Sequence, residues 1–367
     1  MRALPFLAHP STKRLTAVIG ISFALVAVAR AEESGTPSFR SGRSVDHLIR
    51  EGETHFTHLY QLTNGGENAE AYFSWDGAQL ILQVTPRGGS CDQIYTMPSG
   101  GGDLRLVSTG KGVTTCSYFF PNGDLLYAST HLGGDGCPTK PDRSKGYVWA
   151  LFPDYDVWKS KADGSGLTRL TDSPGYDAEA TVGPDGDVIF TSVRDGDIDL
   201  YRMKSDGSDV RRLTNLPGYD GGAFFSYDGT QICWRASRPQ TEEEVGDFRK
   251  LLADGLVRPS KLEIFVGNAD GTEPKQLTNN GAANFCPFFH PSGKKVMFSS
   301  NLGDPKGRNF DLYLVDIESK EIERVTQEET FDGFCMFSPD GKRLVFASNR
   351  GAEVQGETNI FMADWQE

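Results

Sequence analysis

The chain has 367 residues, which is too long for one core of ordinary size, so it forms two domains or one large repetitive domain. Its 37 Lys and Arg stand against 50 Asp and Glu, and this net charge of −13 argues against nucleic-acid binding and adhesion to anionic lipid. With 42 Gly, 19 Pro, 23 Phe and 12 Tyr, the composition indicates many turns between aromatic-rich strands.

The N-terminus has the pattern of a secretory signal peptide. Leu15 to Ala29 is uncharged and mostly apolar, basic residues precede it, and Ala29-Arg30-Ala31 has the small-x-small spacing of a cleavage site. We therefore predict a signal peptide over residues 1–31 and a periplasmic or secreted protein without a membrane span after cleavage. The alternative is an uncleaved N-terminal anchor. The polar residues 32–54 are expected to form a flexible lead-in.

One four-residue turn recurs six times along the rest of the chain. Glycine is the fourth residue in every copy, and the third is Asp, Asn or Ser, which suits a type I turn. The copies lie at 74–77, 120–123, 183–186, 226–229, 290–293 and 338–341. Aromatic residues precede most of these turns, and a strand, an apolar pair and a second turn follow. Four short strands per unit, in six units, predict an all-β, six-bladed β-propeller over residues 55–367.

The ends of the chain predict how the ring closes. The sixth unit stops at Glu367, before its fourth strand, whereas Leu59-Tyr60-Gln61-Leu62-Thr63 has the pattern of that missing strand. We expect this N-terminal strand to complete the last blade, because closure leaves no open sheet edge.

Three segments resemble a known family. They are Phe-Ser-Pro-Asp-Gly at 337–341, Leu-Tyr-Arg-Met-Lys-Ser-Asp-Gly-Ser at 200–208 and Arg-Arg-Leu-Thr at 211–214. These units are similar to the TolB-type (WD40-like) six-bladed β-propeller family. The resemblance implies the family's propeller domain without its N-terminal α/β domain. It says little about function, since propellers host many activities.

Two connections between second and third strands are enlarged, at residues 131–155 and 238–261. In the second insert, Thr241 and Glu244 have the spacing of a capping box, and apolar residues follow at helical spacing, which predicts a helix over 242–253. One interpretation is that both inserts only pack onto the propeller. The other is that they wall a groove over its central channel.

A candidate metal site comes from the repeat itself. The residue nine positions before each turn glycine bears a side-chain oxygen, at Asn68, Thr114, Asp177, Asp220, Asn284 and Asp332. These positions begin the innermost strands, so Asp177, Asp220, Asp332, Asn68 and Asn284 are candidates to bind Ca²⁺ in the central channel. The alternative is that each side chain caps its own loop. No cofactor is otherwise indicated.

Candidate ligand-binding residues lie on the same face. Tyr176, Tyr219 and Trp149 are aromatic platforms, and Arg194 and Arg350 suit a carboxylate ligand. The alternative roles are packing between blades for the aromatic residues and pairing with neighbouring Asp residues for the arginines.

The chain has six cysteines, and an exported protein allows disulfides. Cys91, Cys116 and Cys137 map to the loop-rich face of the first two blades, so two of these three are expected to pair. Cys233, Cys286 and Cys335 lie in later strands and are expected to be buried free thiols.

Two functional hypotheses remain open. The first is an exported, non-catalytic, monomeric binding or scaffolding propeller that engages a protein or cell-wall glycan through its insert-bearing face. The second is a metal-assisted polysaccharide lyase or hydrolase that acts at the channel mouth.

Overall fold

The computed structural model describes residues 42–142, 144 and 146–367, and the predicted signal peptide lies outside these residues. The described chain is a six-bladed β-propeller in which each blade is an antiparallel, four-stranded meander, as predicted. In the described part, no helix is long and apolar enough to cross a bilayer.

The blades follow one another along the chain, with the first strand of each innermost. Blade 1 comprises β3 (Glu67–Phe73), β4 (Gln79–Thr85), β5 (Gln93–Pro98) and β6 (Arg105–Leu106); blade 2 comprises β7 (Thr114–Phe119), β8 (Leu125–Ser129), β10 (Asp156–Ser160) and β11 (Thr168–Arg169). Blade 3 comprises β12 (Asp177–Val182), β13 (Val188–Ser192), β14 (Asp199–Met203) and β15 (Arg211–Arg212); blade 4 comprises β16 (Asp220–Phe225), β17 (Gln231–Ala236), β19 (Glu263–Asn268) and β20 (Lys275–Gln276). Blade 5 comprises β21 (Asn284–Phe289), β22 (Lys295–Ser300), β23 (Asp311–Asp316) and β24 (Ile322–Arg324).

Blade 6 closes the ring with the N-terminal strand, as predicted. It comprises β25 (Asp332–Phe337), β26 (Arg343–Ser348), β27 (Asn359–Trp365) and β2 (Phe56–Gln61), and β1 (Arg43–Ser44) adds a fifth strand outside β2. Leu59 of β2 is fully buried opposite Ala363 of β27. Chain closure therefore joins both ends of the propeller in one sheet.

The described part of the predicted lead-in packs against blade 6. Residues Asp46–Leu48 form one 3₁₀ turn, and Val45 is buried in the main core. The Glu53 carboxylate pairs at 3.0 Å with Arg350, and both side chains are fully buried. Because a buried guanidinium needs a counter-charge, this contact holds the segment on the propeller.

A β-bulge interrupts the innermost strand of each blade. The residue at the bulge takes a left-handed backbone conformation, with φ between 49° and 58°. These residues are Glu70, Cys116, Glu179, Gly222, Cys286 and Phe334, and we call them the bulge ring. A bulge re-aims the residues around it, so each blade turns one bulge residue towards the central channel, and in five of the six blades that residue carries a side chain.

The two inserts interact with each other. Helix α1 (Glu242–Ala253) begins at Thr241 with the predicted capping box. Two short strands, β9 (Trp149–Ala150) and β18 (Leu256–Val257), pair one insert with the other. Leu151 and Tyr155 of the first insert share an apolar cluster with Val257 of the second, so the inserts form one layer over the blades.

Candidate functional site

A cavity of about 800 Å³ occupies the central channel beneath the inserts. All six members of the bulge ring line it, together with residues from the first insert and from the loops of blades 5 and 6. The main insert residues are Tyr147, Trp149, Ala150, Leu151, Phe152 and Tyr155. Its size and largely apolar lining are those of a site for a small molecule.

Aromatic rings close the channel below the bulge ring. The Tyr72 ring, from blade 1, lies 5.3 Å from the Phe224 ring of blade 4 on the opposite side of the channel. Tyr118 contacts Tyr72 at 5.8 Å, and Phe288 contacts Phe224 at 5.4 Å. Because rings from opposite blades touch, the cavity is blind and its mouth lies on the insert-bearing face.

One wall of the cavity is a continuous row of aromatic rings. Trp149 contacts Phe285 at 5.3 Å, and Phe285 contacts Phe310 at the same distance. The row continues through Phe331, 6.1 Å from Phe310, to Phe334 of the bulge ring at 5.8 Å. This row runs from the first insert to blade 6 and offers ring faces and edges to a ligand.

A buried ion pair stands on the blade 4 side. The Arg235 guanidinium lies 3.0 Å from Glu179, and it donates a hydrogen bond of 2.8 Å to the Tyr219 hydroxyl. Tyr219 donates in turn to Glu179 at 2.6 Å. Gly222 makes this possible, because a Cβ at that position would collide with the guanidinium, and its φ of +58° also favours glycine.

Glu70 faces the same cavity and has no ionic partner among the described residues. Burial raises the pKa of its carboxyl to about 7, and a hydrogen bond with Cys116 and the positive charge of Arg235 oppose that shift. Its Oε2 atom is buried and accepts no hydrogen bond from any described residue. Such an atom is costly unless something donates to it.

Two further lining groups have unused hydrogen-bonding capacity within the described chain. Arg235 Nε and Ser299 Oγ are both buried and make no hydrogen bond there. They lie at equivalent positions of the second strands, since Arg235 pairs with Gly221 and Ser299 with Phe285. The cavity is thus mostly apolar, with an unused acceptor at Glu70, an unused donor at Arg235 and a hydroxyl at Ser299.

The predicted ligand-binding residues divide into two groups. Trp149 and Tyr176 line the cavity, and Tyr219 lies behind it, bonded to Glu179 and Arg235. Arg194 and Arg350 lie outside the lining and pair with carboxylates of their own blades. The fold therefore gives each of these two arginines a carboxylate partner, Asp177 for Arg194 and Asp332 for Arg350.

The predicted metal-binding carboxylates are the partners of those arginines. Asp177 lies 3.0 Å from Arg194, and Asp332 lies 2.8 Å from Arg350. Asp220 makes the same contact with Arg238 at 2.6 Å. Each carboxylate is neutralised within its own blade, so the three do not form a shared oxygen cage.

The amides at the equivalent positions bond to backbone. Asn68 donates to the carbonyl of Thr358 at 2.8 Å, and Asn284 donates to that of Leu262 at 2.6 Å. In both cases the carbonyl belongs to the preceding blade, so these side chains link neighbouring blades. Among the described residues, no group of three or more His, Cys, Asp or Glu is arranged to hold a metal ion.

The cysteines on the insert-bearing face form one disulfide. Cys91 pairs with Cys137, which ties the first insert to blade 1. Cys116 is free and belongs to the bulge ring, while Cys233, Cys286 and Cys335 are free and buried.

Sequence reasoning missed Glu70, Glu179 and Arg235. The bulge ring lies two residues after each candidate metal position, but no sequence signal marks the bulge that turns those side chains inwards. Arg235 had a usable signal, since it is a charged residue inside the apolar strand Ile232–Ala236.

No protein-family model matches the chain, but solved structures do. A protein assigned as TolB from Agrobacterium tumefaciens aligns over 90% of this chain and 100% of its own, with a TM-score of 0.54 and 17% identity. TolB from Acinetobacter baumannii aligns over 82% of this chain and 64% of its own, with a TM-score of 0.51 and 16% identity. The fold is that of the TolB-type propeller.

Enzymes share the same fold. An oligogalacturonate lyase in complex with manganese aligns over 90% of this chain and 97% of its own, with a TM-score of 0.51 and 14% identity. A gluconolactonase from Xanthomonas campestris gives the same coverage, with a TM-score of 0.54 and 13% identity. Identities this low show a common fold and leave function to the site.

Proposed function

We propose that the protein is an exported, non-catalytic binding propeller that takes a small ligand, or an apolar group of a larger partner such as a protein or cell-wall glycan, into its central cavity. The observation that carries this proposal is the blind cavity itself. Its aromatic wall supplies apolar contact, and unpartnered polar atoms at Glu70, Arg235 and Ser299 supply orientation. We expect the monomer to be sufficient for binding, because one ring encloses the site.

The Cys91–Cys137 disulfide supports export, because such bonds persist in oxidising compartments. The signal peptide remains a prediction of the sequence. Peptide sequencing of the N-terminus of protein expressed with its natural leader would test it, and a first residue near Glu32 is expected.

The proposed function is tested by blocking the cavity. Ala150→Trp places an indole in the lining at the insert, whereas Ala162→Trp places the same group on an exposed turn between the third and fourth strands of blade 2. We expect fragments with apolar rings to bind the parent protein and Ala162→Trp, as measured by ligand-observed NMR, and to lose binding to Ala150→Trp. Equal binding to both variants would contradict a cavity site.

A second candidate function, catalysis in the cavity beneath the channel mouth, is favoured by Glu70. A carboxyl with a pKa of about 7 exchanges protons readily at neutral pH, which general acid–base catalysis requires. Oligogalacturonides and aldonolactones, with and without Mn²⁺, are the substrates to try first, given the enzymes that share the fold. If the parent protein turns over one of these substrates and Glu70→Gln does not, this second function is established. If the variant is as active as the parent, Glu70 is not the catalytic acid or base.

A further inference from the structure

The chemistry of the cavity indicates which ligand it selects, and this inference rests on the proposed function. We propose that the cavity binds a small amphipathic amine, whose apolar or aromatic body lies against the aromatic row and whose protonated nitrogen donates to Glu70.

Two carboxylates and two guanidinium groups of the described residues line the cavity. Glu179 and Arg235 form an ion pair at 3.0 Å, so each already has its counter-charge. Glu70 is the carboxylate in the described lining that has no ion-pair partner. Arg308 also lines the cavity, but its side chain is exposed at the mouth, where water and salt screen its charge. An ammonium group would thus supply the counter-charge that the interior lacks.

The groups around Glu70 determine how far its carboxyl is ionised. Cys116 shares a hydrogen bond with it, Tyr72 lies below it, and the charges of Glu179 and Asp92 oppose its ionisation. Arg235 is the cation near enough to favour the ionised form, and it is already paired with Glu179. Burial, with a smaller contribution from the charges of Glu179 and Asp92, raises the pKa of Glu70 to about 7 and leaves it only partly ionised at neutral pH in the free protein. A bound ammonium would complete the ionisation.

Two rings of the aromatic row already lie against a cation. The Arg235 guanidinium already lies 5.5 Å from the Trp149 ring centroid and 5.9 Å from that of Phe285. These two rings therefore accommodate a cation within the cavity. Ring faces attract cations most strongly where water is excluded, and the remaining rings of the row, at Phe310, Phe331 and Phe334, have no protein cation over them in the described chain.

The net charge of the protein favours the approach of a cationic ligand. The whole chain carries a net charge of −13, which raises the local concentration of cations near the surface. An anionic ligand would meet this field and would leave Glu70 uncompensated. A neutral ligand could donate to Glu70 but would not offset its charge.

The test compares 2-phenylethylamine with 2-phenylethanol, which has a hydroxyl in place of the amine, by isothermal titration calorimetry. We expect the amine to bind the parent protein at least about tenfold more tightly than the alcohol. Its affinity should rise about tenfold from pH 6 to pH 8, because the ionised fraction of a carboxyl with a pKa of about 7 rises by that factor. At pH 7, titrations in buffers of different ionisation enthalpy should show release of about half a proton per amine bound.

Three variants make the result specific. Glu70→Gln should remove both the preference for the amine and the proton release, Glu70→Asp should keep them, and the remote variant Glu51→Gln should behave as the parent. Equal affinity for amine and alcohol, unchanged by Glu70→Gln, would overturn the amine inference while the cavity still binds ligands. Binding of neither probe at millimolar concentration would also overturn it, and the Ala150→Trp comparison then decides separately on the proposed function.

Discussion

Two rings of equivalent residues, only two positions apart in each blade, have opposite characters. The strand-start ring is Asn68, Thr114, Asp177, Asp220, Asn284 and Asp332, and its bonds run to an arginine of the same blade or to backbone of the preceding blade. The bulge ring is Glu70, Cys116, Glu179, Gly222, Cys286 and Phe334, and it lines a cavity in which some polar atoms have no hydrogen-bond partner in the described part of the chain.

The difference shows that, within one strand, one position serves the repeated architecture and another, two residues away, serves the candidate site. The strand-start ring keeps a small, oxygen-bearing side chain in every blade, and the backbone N–H of each member donates to a carbonyl of the preceding blade. The bulge ring has a different residue type in most blades, because its side chains share one asymmetric space. The proposed ligand site therefore lies where the repeat is broken.

The largest effect should come from the strand-start ring, with Asp332→Ala. It leaves Arg350, which is fully buried, with Glu53 as its one remaining carboxylate partner among the described residues. We expect a loss of about 3–5 kcal/mol in the free energy of unfolding, measured with urea. Arg211→Ala, which breaks the exposed pair with Asp209, is the matched control and should cost under about 1 kcal/mol. An equal loss of unfolding free energy in Asp332→Ala and Arg211→Ala would contradict a structural role for the strand-start ring.

The next effect should come from the bulge ring, with Gly222→Ala. The added Cβ would collide with the Arg235 guanidinium in a backbone conformation with φ of +58°. Gly186→Ala is the control, since its φ is +84° but nothing lies near its Cβ. We expect a cost of about 1 kcal/mol for the control and about 2–3 kcal/mol for Gly222→Ala, by thermal unfolding. A cost no greater than the control would show that Arg235 can move aside freely.

Glu70→Gln should stabilise the protein in a pH-dependent way. Burial raises the pKa of Glu70 from its usual value to about 7, so the folded state holds its proton more tightly than the unfolded state. The native protein therefore loses stability as the pH rises from about 4.5 towards 7, and the loss is complete above pH 7. We expect the variant to gain about 3 kcal/mol at pH 8 and almost nothing at pH 4. Glu51→Gln should show no such pH dependence.

The smallest effect should come from Cys116→Ala. The variant removes a small free thiol that faces the cavity, so stability should change by less than about 1 kcal/mol. The hydrogen bond from Cys116 lowers the pKa of Glu70, so its loss should move that pKa upwards. Carbon-13 NMR titration of labelled glutamate carboxyls measures this shift, and an unchanged or lower pKa would show that the thiol does not bond to Glu70. Cys335→Ala, outside the cavity lining, is the control.

The sequence alone was sufficient for the propeller, its closure and the helix over 242–253. Each of these depends on local signals: the recurring turn, the missing fourth strand before Glu367, and the capping box at Thr241. Such signals act between residues close in the chain or repeat at a fixed period, so one sequence displays them.

Only the tertiary structure decided where the candidate site lies and which of its charged groups have no ion-pair partner among the described residues. The sequence favoured Asp177, Asp332, Arg194 and Arg350 as separate candidates for metal and ligand, but folding places them against one another. It gave no sign of Glu70, because a β-bulge turns that residue towards the channel. Pairing across strands and the meeting of six blades at one axis bring together residues far apart in the chain, and the energy of a buried charge depends on that meeting.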